Sequence, residues 1–286
     1  MPRRYLTLLV LIPGTAAAGP NAGGVLLVHA QADAPYSYDD PAECGHPTPT
    51  SCAETRARVD GEGPFLFSIL AAFPEGASPR VAGATFGIEY DASIHVLDYQ
   101  SCGDFELVTE NWPASREGIA ITWALPETTL VFEMCAFLGY QDGDPGVFSS
   151  WVHPTQGAAF VDDSIVNDPE SVVAFGSLGF GMDGSVECPA PVGACCEGED
   201  CRFISEADCA GTFLGAGVPC SSGPCRVGAC CFPDGSCLET ARWECEKGGG
   251  SYQGAESACA PGLCMPTPVI DSSWGLLRMV FRRPSP

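Results

Sequence analysis

The sequence is poor in positive charge. Thirteen lysines and arginines stand against 36 aspartates and glutamates, Lys247 is the only lysine, and the formal net charge is −23. Proteins that bind nucleic acids or anionic membranes present basic patches, so this charge balance argues against both as partners. Most of the acidic excess lies between residues 19 and 188, where 25 acidic residues face four arginines. This excess suits solubility, a saline medium or weak cation binding, and solubility is the simplest of the three explanations.

Long apolar segments are also missing. A compact apolar run, Tyr5–Ile12, follows two arginines and precedes Ala16–Ala18, a small-residue pattern that suits signal peptidase. Crossing a bilayer takes about 20 apolar residues, so this run predicts a signal peptide over residues 1–18, with Ala22 as a later cleavage point. We therefore expect a protein without a transmembrane span that is secreted, at the cell surface or in the periplasm.

The motifs of common active sites are absent. The sequence contains no G-x-S-x-G elbow, no H-E-x-x-H pair and no Walker loop. Its four histidines are scattered, and their isolation favours structural or surface roles for His29, His46, His95 and His153. Only the arrangement of His153 with the Asp162-Asp163 pair merits a comparison with the structure. We therefore expect that the protein has no catalytic residue and is not an enzyme.

Acidic pairs in two segments are candidate calcium ligands. Asp142 and Asp144 flank a glycine, and Asp162 and Asp163 are adjacent. Calcium prefers carboxylate oxygens, but neither pair belongs to a twelve-residue EF-hand loop. Solvated loop carboxylates are the alternative interpretation, and no other cofactor is predicted.

Cysteine is abundant, with 17 residues. Twelve of them form two rows of six, and the rows open with the same four residues at Gly193–Cys196 and Gly228–Cys231. Each row also places an aromatic residue two positions before a glycine, Phe213 in the first and Tyr252 in the second. This pattern predicts an internal repeat of about 35 residues, at 193–225 and 228–264. The repeat cysteines are Cys195, Cys196, Cys201, Cys209, Cys220 and Cys225, then Cys230, Cys231, Cys237, Cys245, Cys259 and Cys264.

Each repeat is too short to bury enough apolar surface to offset the entropy lost on folding. Disulfides lower the entropy of the unfolded chain instead, by roughly 2–4 kcal/mol each, so we predict three in each repeat. Six cysteines allow fifteen pairings, and only bonds within the adjacent pairs are disfavoured, because a vicinal ring is strained. A zinc site is the alternative, but it needs a C-x2-C spacing or histidines that the repeats lack.

Five cysteines lie outside the repeats. Cys44 and Cys52 enclose a short loop rich in proline and threonine, which predicts a local disulfide. Among the other three, we favour a Cys102–Cys188 bond with Cys135 buried and reduced inside an apolar strand. A Cys102–Cys135 bond is the alternative.

Residues 19–190 have the pattern of a β domain. Short apolar or alternating runs are separated by clusters of glycine, proline, asparagine and aspartate, which is typical of a sandwich. We expect eight to ten strands in two packed sheets, with Trp112, Trp123, Phe132 and Phe137 in the core. Two pairs of runs are joined at hairpin distance, 81–90 with 94–99 and 118–125 with 129–140, the second pair around the turn Pro126-Glu127. The runs are 24–29, 64–73, 81–90, 94–99, 118–125, 129–140, 147–152 and 172–180.

One stretch of this domain resembles a known module. Val81–Asp91, followed by Ile94–Tyr99 and Gly103, is similar to a strand pair of cohesin-like jelly-roll modules. The resemblance implies a binding or scaffolding module without catalysis. The whole chain also resembles uncharacterised secreted bacterial proteins in which a β domain precedes repeats like Gly228–Cys237, and that resemblance implies no particular activity.

The last residues differ from the rest of the chain. After the proline-rich linker 265–268 comes a basic and apolar segment in which Trp274, Leu277 and Phe281 would share one face of a short helix. Together with Arg282 they predict a recognition segment within the tail 265–286.

The predicted fold class is mainly β, with an N-terminal jelly-roll or cohesin-like sandwich followed by two small disulfide-rich repeats. The predicted function is that of a secreted, non-catalytic structural, adhesive or binding protein of the bacterial exterior, whose partner is a protein or a glycan. The alternative is a hydrolase of extracellular polymers that uses two facing carboxylates in the sandwich.

Overall fold

The structure is a computed structural model that describes residues 19–31, 36–61, 63–165 and 169–264. The predicted signal peptide and C-terminal tail lie outside these residues. Strands dominate the described part of the chain, and its α-helix, α1, is the short segment Arg242–Lys247. Within the described residues, no helix is both long enough and apolar enough to cross a membrane.

In the described residues, twelve strands precede the first repeat. They are β1 (Val25–Ala30), β2 (Arg58–Val59), β3 (Phe65–Ala72), β4 (Val81–Tyr90), β5 (Ile94–Ser101), β6 (Phe105–Val108), β7 (Gly118–Glu127), β8 (Val131–Gln141), β9 (Gly146–Trp151), β10 (Ala159–Val161), β11 (Glu170–Ser171) and β12 (Ser177–Phe180). A four-stranded sheet has the order β1-β3-β8-β5. The eight-stranded sheet has the order β11-β10-β4-β9-β12-β2, with β7 paired to β4 and β6 paired to β7.

The two sheets form a sandwich around an aromatic core. Because successive side chains of a strand point to opposite faces, alternate residues of each strand enter the space between the sheets. Phe67 of β3 and Phe148 of β9 meet there with ring centroids 4.8 Å apart. The four predicted core residues, Trp112, Trp123, Phe132 and Phe137, are all buried, so that prediction is confirmed, as is the mainly β fold class.

The two predicted hairpins are wrong. β4 and β5 are separated by only three residues, yet β4 belongs to the large sheet and β5 pairs with β8 in the small one. The chain likewise crosses from β7 in the large sheet to β8 in the small sheet, and Pro126-Glu127, expected to form the turn, ends β7. Each of these connections passes from one layer of the sandwich to the other, because both strands have long-range partners in different sheets.

Each repeat is a three-stranded antiparallel sheet. The strands are β13 (Val192–Glu197), β14 (Asp200–Ser205) and β15 (Thr212–Ala216) in the first repeat, and β16 (Val227–Cys231), β17 (Cys237–Ala241) and β18 (Ser251–Tyr252) in the second. The strand that carries the Gly-Ala-Cys-Cys opening is central in both. Its glycine is required there, since a Cβ at Gly193 would lie 1.9 Å from the Gly215 carbonyl oxygen, and one at Gly228 would lie 2.0 Å from that of Gly254.

The two repeats have the same disulfide connectivity. In both, the first cysteine bonds the fourth, the second bonds the sixth and the third bonds the fifth. The adjacent cysteines therefore bond elsewhere and not to each other. The pairs are Cys195–Cys209, Cys196–Cys225 and Cys201–Cys220 in the first repeat, and Cys230–Cys245, Cys231–Cys264 and Cys237–Cys259 in the second.

The favoured disulfides of the sandwich are both wrong. Cys44 bonds Cys102, because its backbone N–H donates to Gln100 Oε1 and so places it beside the end of β5. Cys52 bonds Cys188, because the chain that follows Cys52 runs parallel to β12. Cys135 is buried with a free thiol, which excludes the alternative Cys102–Cys135 bond.

Candidate binding surface

The outer face of the small sheet is covered by its own chain. We call residues 36–54 the strap. It lies over apolar side chains that the small sheet points away from the core, and Leu66 and Leu138 form one buried cluster with Ala42 and Tyr36 of the strap. Leu27 and Leu70 form a second cluster with Cys52. Burying apolar area at roughly 25 cal/mol per Å² makes this contact a stabilising one.

Polar contacts and disulfides set the position of the strap on the sheet. The Ala42 N–H donates to Asp98 Oδ2 at 3.0 Å, and the Gly45 N–H donates to Glu133 Oε2 at 2.7 Å. The disulfide of Cys44 joins the strap to Cys102 at the end of β5. The small sheet therefore offers no open face to a partner in this region.

The outer face of the large sheet is different. Strand register aligns two rows of outward residues across β6, β7, β4 and β10, and none of these eight residues is charged. We call them the open face. The first row is Phe105, Thr122, Gly83 and Val161, and the second is Leu107, Ala120, Thr85 and Ala159.

Exposure across the open face is greatest at β6. Phe105 is 58% exposed and Leu107 is 62% exposed. Leu125, which is not one of the eight residues, is 81% exposed near the end of β7. β6 pairs with β7 on one side, and within the described residues no strand pairs with its other side. A short edge strand with exposed large apolar side chains is a site at which another chain can add contacts.

Small residues make the centre of the open face flat. Gly83 lies between Thr122 and Val161 in the first row, and Ala120 lies between Leu107 and Thr85 in the second. Short side chains and threonine methyl groups leave few projections above the sheet. The face thus consists of a shallow central area with larger apolar side chains at the β6 edge.

The charged groups at the rim of the open face already have partners. Asp104 precedes β6 and accepts a hydrogen bond from the Ala124 N–H at 2.7 Å. Asp163 follows β10 and forms an ion pair with Arg80, which lowers the pKa of this carboxyl. These contacts keep ionised groups at the border of the face.

The sequence-predicted calcium ligands lie in two separate loops, and their role stays a prediction. Asp142 and Asp144 are exposed on the turn between β8 and β9. Asp162 accepts hydrogen bonds from the backbone and hydroxyl of Ser164, while Asp163 binds Arg80. In the described part of the chain, the groups of three potential metal ligands are Cys231, Cys237 and Cys264, and Cys44, Cys102 and Glu133. All five sulfurs are in disulfides.

His153 has a structural role. Its Nδ1 accepts hydrogen bonds from the backbone N–H groups of Thr155 and Gln156 at 3.2 Å, and it is buried against Gly118. Burial lowers the pKa of His153, although Glu117 opposes the shift. Neither Asp162 nor Asp163 bonds to its ring, so the structure does not form the arrangement considered from the sequence.

Two clefts of the sandwich contain pairs of acidic residues. In the first, Glu89 binds Arg116 at 2.9 Å, and Asp91 Oδ2 accepts from the Val147 N–H. In the second, between β5 and β6, Asp104 caps the Ala124 N–H and Glu106 accepts from the Tyr99 hydroxyl at 3.3 Å. Each of these carboxylates is engaged in a structural contact. Neither pair therefore suits the two catalytic carboxylates of a polymer hydrolase, which must face the substrate.

The free thiol lies deep in the sandwich. Cys135 is fully buried on β8, and burial raises the pKa of its thiol, with Glu106 and Glu133 adding to the effect. Burial and the charge of Glu106 also raise the pKa of nearby Tyr99 to about 12. A neutral, enclosed thiol is a poor nucleophile, so Cys135 is a core residue.

Sequence reasoning missed the open face because it missed β6. The segment Phe105–Val108 alternates an apolar residue, a glutamate and another apolar residue, and this pattern was too short to predict a strand. The predicted recognition residues Trp274, Leu277, Phe281 and Arg282 lie outside the described residues, and their role stays a prediction.

Solved structures that are similar to this chain include several cohesin modules. A cohesin module from a Clostridium perfringens family 33 glycoside hydrolase has a TM-score of 0.36 and 9% identity, over 55% of this chain and 94% of that one. A non-cellulosomal cohesin from Archaeoglobus fulgidus has a TM-score of 0.32 and 11% identity, over 44% and 86%. No protein-family model matches the sequence, and no curated protein matches it.

Proposed function

We propose that this chain is a secreted, non-catalytic binding protein whose open face receives a partner protein. The observation that carries the proposal is the contrast between the two outer faces of the sandwich. The strap buries the apolar residues of one, while Phe105 and Leu107 of the other are more than half exposed in a chain of net charge −23. A large exposed apolar patch on a soluble protein marks an interaction site.

The chemistry of the open face favours a protein over a glycan. Sugar hydroxyls are bound by planar polar side chains, and the eight residues of the face include no amide, carboxylate or guanidinium. Phe105, Leu107 and Val161 offer apolar contact instead, and the threonines offer single hydroxyls. Such a surface suits the apolar centre of a protein interface surrounded by a polar rim.

The charge of the chain limits the kind of partner. A strongly acidic protein repels another acidic protein and slows its approach, whereas a neutral or basic partner is attracted. We therefore expect a partner with an apolar patch and a neutral or basic rim. An oxidising location outside the cytoplasm agrees with the eight disulfides of the described residues.

The test compares two variants that introduce the same charge on different strands. Leu107→Glu places a carboxylate on the open face, and Leu97→Glu places one on β5, where Leu97 is 41% exposed. Secreted and envelope proteins of the host are passed over each immobilised full chain, and the partner that is retained is purified for titration. We expect Leu107→Glu to weaken binding at least tenfold and Leu97→Glu to leave it unchanged.

Equal retention by the wild-type chain and both variants would place the interaction elsewhere.

A separate assay addresses the hydrolase alternative by measuring reducing ends released from a panel of extracellular polysaccharides. Sugar release by the full chain would contradict the non-catalytic proposal.

A further inference from the structure

Arg226 differs from the other described basic side chains. Among those residues, five arginines form ion pairs with carboxylates, Arg56 has a contact of its own, and the Lys247 ammonium lies 5.6 Å from the centre of the Trp243 ring. The guanidinium of Arg226 has no carboxylate partner in the described part of the chain. The paired arginines are Arg58, Arg80, Arg116, Arg202 and Arg242.

Arg226 lines a cleft at the junction of the two repeats. The cleft has a volume of about 640 Å³, and its walls combine Ser222 and Arg226, at the junction of the repeats, with Arg242, Glu246, Tyr252 and Gln253 of the second repeat. We call it the inter-repeat cleft. It is open to solvent and mostly polar, so it suits a hydroxylated ligand better than an apolar one.

Backbone contacts hold the cleft in place. The Arg226 carbonyl oxygen accepts hydrogen bonds from the Arg242 N–H at 3.1 Å and the Tyr252 hydroxyl at 2.8 Å. Arg242 Nη1 donates to the Ser222 carbonyl oxygen at 2.8 Å. The preceding residue, Cys225, is tied to β13 by its disulfide. Because these contacts use the backbone of Arg226, its guanidinium keeps all its donors.

Two arginines and one glutamate line the cleft. Arg242 forms an ion pair with Glu246, with 2.8 Å between Nε and Oε1. Arg226 is therefore the lining cation without a carboxylate partner. Burial raises the pKa of the Tyr252 phenol, Arg242 and Arg226 oppose that rise, and Glu199 of the first repeat adds to it. Both guanidiniums are therefore within electrostatic reach of Tyr252.

The first repeat provides an internal comparison. The residue two positions before its opening glycine is Pro191, which corresponds to Arg226 before Gly228. Three positions before the fourth cysteine, the first repeat has Glu206 and the second repeat has Arg242. Phe213 stands in the place of Tyr252. The same disulfide scaffold thus carries no cation and no phenol at these positions in the first repeat, so the cleft is a property of the second.

We propose that the inter-repeat cleft binds a single uronic acid residue, with its carboxylate on Arg226 and its sugar ring against Tyr252. Guanidinium and carboxylate form paired hydrogen bonds. The donors of Gln253 and Ser222 are used on Ser251 and Pro219, so their side-chain oxygens would accept from sugar hydroxyls. The volume of the cleft exceeds that of a bare anion. The net charge of −23 repels a long polyanion, so the ligand is a monosaccharide or a chain-terminal residue.

The test titrates the full chain with sodium glucuronate, followed by amide NMR shifts or calorimetry. Glucose provides the neutral control ligand and acetate the control for the carboxylate alone. We expect saturable binding of glucuronate that weakens with added salt and exceeds the binding of either control at least tenfold. Equal binding of glucose would overturn the role of charge, and equal binding of acetate would overturn the sugar assignment.

A pair of variants locates the site. Arg226→Gln removes the unpaired guanidinium, and Arg202→Gln removes one that pairs with Glu197 in the first repeat. We expect Arg226→Gln to weaken glucuronate binding at least tenfold and Arg202→Gln to change it less than twofold, with both variants melting like the wild type. Unchanged binding by Arg226→Gln, or an equal loss in both variants, would refute the proposal.

Discussion

The two outer faces of the sandwich show how one fold reserves a surface for binding. On the small sheet, outward leucines such as Leu66 are buried by the strap. On the large sheet, outward residues of similar apolar character, such as Leu107, have no cover within the described residues and lie beside glycine, alanine and threonine. Burial of an outward strand residue therefore depends on whether another segment of the chain crosses the sheet.

Removal of the disulfide at the end of the strap should have the largest effect. In Cys52→Ser/Cys188→Ser the unfolded chain loses a cross-link between residues 136 positions apart. We expect the free energy of unfolding of the sandwich to fall by about 4 kcal/mol, measured by denaturant titration under oxidising conditions.

The matched control is Cys237→Ser/Cys259→Ser, which removes a disulfide of the second repeat. It should leave the transition of the sandwich in place. If Cys52→Ser/Cys188→Ser also left it in place, the strap would not depend on this bond.

A single type of substitution then compares the two faces directly. Leu66 is 1% exposed under the strap, and Leu107 is 62% exposed on the open face. Leu66→Ala should lower the free energy of unfolding by about 3 kcal/mol through lost burial and a cavity. Leu107→Ala should change it by less than about 0.5 kcal/mol. Similar losses in both variants would show that the open face is covered in solution.

Acidification should weaken the covered face by a smaller amount. His29 lies on the outer side of β1, where its Nδ1 accepts from the Arg56 N–H. Burial and the charge of Arg56 lower its pKa below 6.5, so the unfolded chain binds the proton more readily. The stability that the neutral ring contributes is present above pH 6.5 and is lost as pH falls through the folded-state pKa.

Melting temperatures between pH 7.5 and pH 5 provide the measurement. The wild type should lose stability across this range, and His29→Gln, which keeps a hydrogen-bond acceptor without titrating, should lose less. Parallel curves for the two proteins would assign the pH dependence to other groups, of which His153 is one, since its pKa is also lowered.

The smallest effect is expected for the reactivity of the free thiol in the core between the two sheets. The thiol of Cys135 is fully buried, so an alkylating reagent should not label it in the folded, unreduced protein. After denaturation without reductant, intact-mass measurement should show one label. Labelling of the folded chain would indicate that the sandwich opens, and several labels after denaturation would contradict the disulfide set.

Local pattern was sufficient for the long strands and the core. The alternating run 81–90 predicted β4 with its observed bounds, and the predicted aromatic core residues are buried. These features depend on the period of two along the strand, which is visible within ten residues. The short strands β2, β6, β10 and β11 have two to four residues. A run of that length carries no detectable period, so β6 and the open face escaped prediction.

The sequence by itself determined that the chain carries two cysteine-rich repeats and that such short segments need cross-links. Only the tertiary structure decided which cysteines bond and which sheet each strand joins. Cys44 and Cys52 are eight positions apart, yet they bond residues 58 and 136 positions away. Strand pairing and disulfide pairing depend on distances in space between remote segments. Local spacing does not encode those distances, because the chain can turn back or cross to the other sheet over the same few residues.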